Sequence, residues 1–143
     1  MKKKFFKILS IEDDAFMKMF IKDVFWLYGI KEGYLFQSAN NIKKGWNIVE
    51  NLETRPDLIL LDLVLPEVEL GALQKDGGFQ FLEKLRANPE LKNIKVIIFS
   101  SYKDEELKER AKKLGVEDFL IKGERLPKEL IVTVKKVLSN SNQ

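Results

Sequence analysis

Apolar runs of strand length alternate with amphipathic stretches along the whole of this chain, and that alternation restricts its fold more than any other feature. The runs are Phe6–Ile11, 34–36, Leu58–Leu61, 96–99 and 119–121. Several are apolar at consecutive positions, which predicts parallel strands covered on both faces. Helical periodicity occupies 15–28, 41–52, 78–87, 104–114 and 127–138. In the fourth stretch Leu107, Ala111 and Leu114 recur at spacings of three and four, forming one buried stripe among charges. Gly115 is expected to stop that helix, and Pro127 suits the first turn of the last one. Strand–helix alternation of this kind predicts an α/β fold, a parallel sheet with helices on both faces. No repeat, low-complexity segment or linker interrupts 1–143, so one domain is expected, with 139–143 as a loose tail. At 143 residues such a domain removes roughly two-thirds of its unfolded-chain surface from water.

Composition excludes several chemistries. The chain has no cysteine and no histidine. Disulfide scaffolds, thiolate catalysis, imidazole bases and common zinc sites are therefore ruled out. Its net charge of +3 comes from lysines interleaved with acids, which is no nucleic-acid footprint. The basic start, Lys2 to Lys4, leads into an apolar run ending at Glu12-Asp13-Asp14, unlike a signal peptide. Lys18, Lys22 and Asp23 likewise rule out a membrane span over 15–30. A cytoplasmic protein with no membrane or nucleic-acid partner is the simplest expectation.

In a right-handed parallel array every strand's C-terminal end lies at one sheet edge, where ligands bind. The predicted runs end in Glu12-Asp13-Asp14, Asp62, Ser100-Ser101 and Lys122. Singly each has an ordinary reading: Asp13 or Asp14 as a helix cap, Asp62 as a turn residue, Ser100 as a strand-end hydroxyl, Lys122 as a snorkelling side chain. Together they are complementary. Two carboxylates about 4 Å apart repel by roughly 4 kcal/mol at an effective dielectric near 20, so a proton or a cation must sit among three. All-oxygen ligands favour Mg²⁺ or Mn²⁺. A carboxylate beside such an ion can attack phosphorus to form an aspartyl phosphate.

These four strand ends, in order, resemble the receiver domain of two-component response regulators over nearly the whole chain. Ile-Leu-Ser-Ile-Glu12-Asp13-Asp14 is similar to the family's acidic pair, with Asp14 outside it. The segment from Pro56 to Pro66 resembles the phosphoacceptor strand, Val96 to Tyr102 the switch-hydroxyl strand, and Gly115 to Lys122 the final signature. The resemblance implies a doubly wound, flavodoxin-like, five-stranded sheet of order 2-1-3-4-5. It further implies Asp62 as phosphoacceptor, and Mg²⁺ or Mn²⁺ held by Glu12, Asp13, Asp62 and the Val64 backbone carbonyl. Ser100 and Lys122 would bind the phosphoryl oxygens, and Ser100 and Phe119 would form the switch.

Three departures from the family pattern carry expectations. Lys122-Gly123 replaces Lys-Pro, so a trans peptide is expected there. The connection from Pro66 to Gly78 is about eight residues longer than usual, leaving 67–77 as either a gate, a partner contact or a tolerated loop. Val64 and Tyr102 stand at the two positions that orient the hydrolytic water, and neither is an acid or amide, so slow dephosphorylation is expected.

The expected function is that of a response regulator phosphorylated by a sensor histidine kinase or phosphotransfer protein, signalling by a conformational switch. Since the last helix closes the chain, output is expected to be a protein contact or onward phosphotransfer. An aspartate-nucleophile phosphohydrolase would want an acid where Val64 stands, and a phosphate-free adaptor would not need the complete polar set. The first helix carries an excess of large apolar residues from Phe16 to Leu27. Either Phe25 or Trp26 packs under a neighbouring loop, or the excess docks a kinase's helical bundle or a second copy in a homodimer.

Overall fold

The computed structural model describes residues 5–64, 77–101, 103–124 and 127–140. Five parallel strands, β1 (Phe6–Ile11), β2 (Tyr34–Ala39), β3 (Leu58–Leu61), β4 (Lys95–Ser100) and β5 (Asp118–Ile121), form one sheet of order β2-β1-β3-β4-β5. Between them run α1 (Ala15–Val24), α2 (Ile42–Glu50), α3 (Gly77–Ala87) and α4 (Glu105–Lys113), and α5 (Pro127–Asn140) follows β5. This is the doubly wound flavodoxin-like arrangement expected from the alternation and the resemblance.

Because successive strand side chains point to opposite faces, the apolar runs feed two cores. Leu9, Ile11, Ile59, Leu61, Val96 and Ile98 pack with Val49 of α2, Phe81 and Leu82 of α3 and Ala111 of α4. Ile8, Leu58, Leu60, Ile97, Phe99 and Leu120 pack on the other face with Ile21 and Val24 of α1 and Val134 of α5. The Arg86 guanidinium, at the end of α3, donates to the carbonyls of Lys92, Ile94, Leu114 and Gly115 and so ties α3 to the loops that enter β4 and β5.

Boundaries moved where tertiary contacts outweighed local pattern. Strand β2 runs on through Gln37 and Ser38, polar residues that the apolar pattern excluded, because its register with β1 continues to Ala39. An edge strand tolerates them, half-exposed as they are. The expected helix 15–28 is α-helical only to Val24; a π-helical turn (Phe25–Gly29) and a 3₁₀ turn (Ile30–Glu32) continue it. Phe25 is thereby buried against β2, stacked on Phe36 at 4.8 Å and 6.4 Å from the Tyr34 ring, and not under a loop. Trp26 stays in solvent. The tail expected from Ser139 onward is helical at its start: Ser139 and Asn140 belong to α5, where the Ser139 hydroxyl donates to the Lys135 carbonyl at 2.8 Å; 141–143 lie outside the described residues.

Gly115 follows α4 at a positive φ, the expected stop. No described peptide bond is cis, so Lys122–Gly123 is trans as expected. Gly123 has φ +84, a conformation L side chains rarely adopt, and a turn closes behind β5 through the Glu124 N–H and the Ile121 carbonyl at 3.2 Å. No described helix is long and apolar enough to cross a membrane.

Candidate functional site

Parallel pairing brings the C-terminal ends of β1, β3, β4 and β5 to one sheet edge, and the polar residues arrive there with them. Glu12 extends β1, its N–H donating to the Ala39 carbonyl at 3.0 Å. Its carboxylate is buried and accepts the Asp14 N–H at 3.1 Å. Asp14 turns away to cap α1, accepting the Phe16 N–H at 3.1 Å, which leaves Glu12 and Asp13 as the acidic pair. Asp62 leaves β3 with its N–H on the Ile11 carbonyl at 3.2 Å and its Oδ1 accepting the Val64 N–H at 3.1 Å. Carboxylate oxygens of Glu12, Asp13 and Asp62 lie within 4.8 Å of one another, with Asp13 the exposed member.

The fourth component is cationic. Lys122 places Nζ 2.6 Å from Glu12 Oε1 and 3.3 Å from Asp62 Oδ2, bridging two of the three carboxylates. Its stem crosses from β5 past β4, and its N–H donates to the Ser100 carbonyl at 2.7 Å, so the β4 and β5 ends move together. Ser100 is fully buried. Phe119 is half-buried and packs on the core shared by α2, α3 and α4. Val64 is half-buried against the same core. Tyr102 and residues 65–76 of the long connection lie outside the described residues.

Burial dominates the electrostatics. It pushes the Glu12 carboxyl up to about 7 against the lowering hydrogen bond from Lys122, and the Asp62 charge adds to the rise. Burial opposes the charged ammonium of Lys122 as well, but Glu12 and Asp62 outweigh it and raise its pKa. The donor set fits a hard divalent ion: three clustered carboxylates in a chain without His or Cys. Lys122 already holds positive charge between Glu12 and Asp62, so a cation is stable there.

Two features escaped the sequence reading. The closest partner of Lys122 is Glu12, whereas the resemblance implied only a contact with the phosphoryl oxygens. Gly78, in the first turn of α3, lies against the strand that carries Asp62: a Cβ there would come 2.5 Å from the Asp62 carbonyl oxygen and 2.5 Å from Leu63 Cα. The Gly77-Gly78 doublet was the available signal, since glycine often marks a close backbone approach.

Comparison with known proteins agrees with this geometry. The family model described as the response regulator receiver domain matches residues 8–135. The chain is 28% identical over 132 residues to the chemotaxis protein CheY of Thermotoga maritima, covering 92% of this chain and 96% of that protein. It is 33% identical over 110 residues to sporulation initiation phosphotransferase F of Bacillus subtilis, covering 76% and 75%. Among solved structures, the Mn²⁺-bound form of response regulator Rcp1 superposes with a TM-score of 0.71 at 27% identity, covering 94% of this chain and 92% of that one. A CheY-like receiver domain protein from Methanospirillum hungatei has the same fold, with a TM-score of 0.78 at 22% identity over 96% and 97%.

Proposed function

The chain belongs to the response regulator receiver family, and from that premise we propose that Asp62 is the residue that takes the phosphoryl group. Membership limits the activity to the chain's own phosphorylation and dephosphorylation. One observation carries the assignment: Asp62, buried at the end of β3, shares one carboxylate cluster with Glu12 and Asp13 and lies beside the Lys122 ammonium.

Glu12, Asp13, Asp62 and the Val64 carbonyl would hold Mg²⁺ or Mn²⁺. When bound, such an ion supplies charge neutralisation and alignment for the phosphoryl oxygens. An Asp62 carboxylate oxygen attacks phosphorus, and the phosphorus–nitrogen bond of a donor phosphohistidine breaks, its electron pair leaving with the imidazole. The donor is a sensor kinase or a phosphotransfer protein. Lys122 exchanges its bond to Asp62 Oδ2 for one to a phosphoryl oxygen, and the Ser100 hydroxyl donates to another. Both bonds draw on the joined ends of β4 and β5, which biases Phe119 between two packings on the core. No acid or amide stands at Val64 to orient water, so the phosphoryl group is long-lived.

Acetyl phosphate with Mg²⁺ tests this directly. Intact-mass measurement is expected to show a gain of one phosphoryl group, lost in Asp62→Asn and strongly reduced in Lys122→Ala. A gain that survives in Asp62→Asn would place the acceptor elsewhere. A phosphoprotein that decays within seconds in Mg²⁺ would contradict the role given to Val64, and Val64→Asn is expected to shorten the lifetime.

A further inference from the structure

The helix that follows the acidic pair presents an unpartnered seam. From Ala15 to Glu32 the chain stays helical, passing from α to π to 3₁₀ geometry. Phe16, Met19, Trp26, Leu27 and Ile30 are 57–77% exposed on it. Within the α-helical part, exposed positions 16, 19 and 23 recur at steps of three and four, and exposed Trp26, Leu27 and Ile30 extend the apolar surface through the π and 3₁₀ turns. With aromatic side chains presenting about 150–250 Å² each, the stripe offers an apolar area of order 600 Å². That reaches the upper range for the largest patch on a monomer and approaches the ~800 Å² that each partner contributes to a stable complex.

Charge indicates which partner fits. Lys22 and Asp23, both exposed, sit at the midpoint of the stripe, and neither side chain has a hydrogen bond or ion pair among the described residues. Exposed apolar residues flank them on both sides: Phe16 and Met19 before, Trp26, Leu27 and Ile30 after. An antiparallel copy centred there would set Met19 of each chain near Trp26 of the other, and Lys22 of each chain against Asp23 of the other. Self-complementarity is what a two-fold interface requires, since one patch must serve as both surfaces. We propose that this face pairs two copies of the chain in an antiparallel homodimer through the helix Ala15–Glu32. The pairing does not depend on the phosphoacceptor assignment.

Sedimentation equilibrium of the full chain, without phosphodonor, decides it. A reversible dimer is expected, with Kd raised about tenfold or more by Trp26→Glu or Met19→Lys while far-UV circular dichroism holds. Lys22→Glu and Asp23→Lys should each weaken it, and the double variant should restore it, because the two reciprocal ion pairs are re-formed with reversed sign. A chain that stays monomeric at about 200 μM, a dimer indifferent to Trp26→Glu, or a double variant without rescue would each overturn the proposal. A monomer whose Trp26→Glu variant loses phosphotransfer from a kinase would assign the face to the phosphodonor instead.

Discussion

Glu12 and Lys122 show how a buried pair is held ready for a different cation. With the ammonium 2.6 Å from its oxygen, Glu12 would ordinarily ionise easily; burial and the neighbouring Asp62 charge instead raise its pKa from 4.5 to about 7. Since the folded pKa lies above the unfolded one, the folded chain binds more protons between those two values. The stability gained from this group is complete below pH 4.5 and is lost as pH rises through about 7. Thermal melts in metal-free buffer are expected to show stability declining across that window. Glu12→Gln should flatten the slope, and an unchanged slope would mean that Glu12 titrates normally. The apparent affinity for Mg²⁺ should rise across the same window, because a bound proton competes with the ion. The acidic pair itself was readable from Glu12-Asp13 at a strand end. Its bond to Lys122 was not, because 110 positions of chain separate them and the sheet order brings their ends within reach.

Packing of α3 against β3 depends on Gly78 having no side chain. A methyl group would meet backbone atoms of Asp62 and Leu63 at 2.5–2.6 Å, and backbone cannot swing aside as a long side chain can. Gly78→Ala is therefore expected to destabilise the chain by about 1–3 kcal/mol in urea denaturation and to weaken metal binding, since the displaced segment carries Asp62. A variant with unchanged stability would show that α3 moves freely on β3. By contrast Arg86 binds α3 to its surroundings through four backbone carbonyls, and Arg86→Ala is expected to cost about 3 kcal/mol by leaving several of them unpaired. That variant should leave Mg²⁺ affinity unchanged, because Arg86 lies at the opposite edge of the sheet from Asp62; a parallel loss of affinity would show the two edges to be coupled. Helix existence and type followed from periodicity, but the π-helical turn after Val24 did not. The turn begins at Phe25, which stacks on Phe36 of the edge strand, a contact local periodicity does not reveal.

The molecule as a whole joins carboxylates whose repulsion opposes folding to a fold that cannot separate them. Any ion that binds the folded site alone stabilises the whole domain, by about 2.7 kcal/mol at a hundredfold excess over Kd. Mg²⁺ is accordingly expected to raise the melting temperature, and Asp13→Asn to abolish the rise while barely changing the metal-free melt, since Asp13 is exposed. An equal rise in that variant would put the ion elsewhere. Five apolar runs, each long enough for one strand, and the turns between them carried the sheet and its helices in local order, because burial on both faces leaves a continuous apolar signature. The polar residues at the run ends carried the site for the same reason: parallel connection sends all those ends to one edge. Local order could not tell which of the converging groups would touch, where a helix would take an extra residue, or which of its apolar side chains would remain in water. Those outcomes depend on distances between elements far apart in the chain, and such distances exist only once both cores have closed.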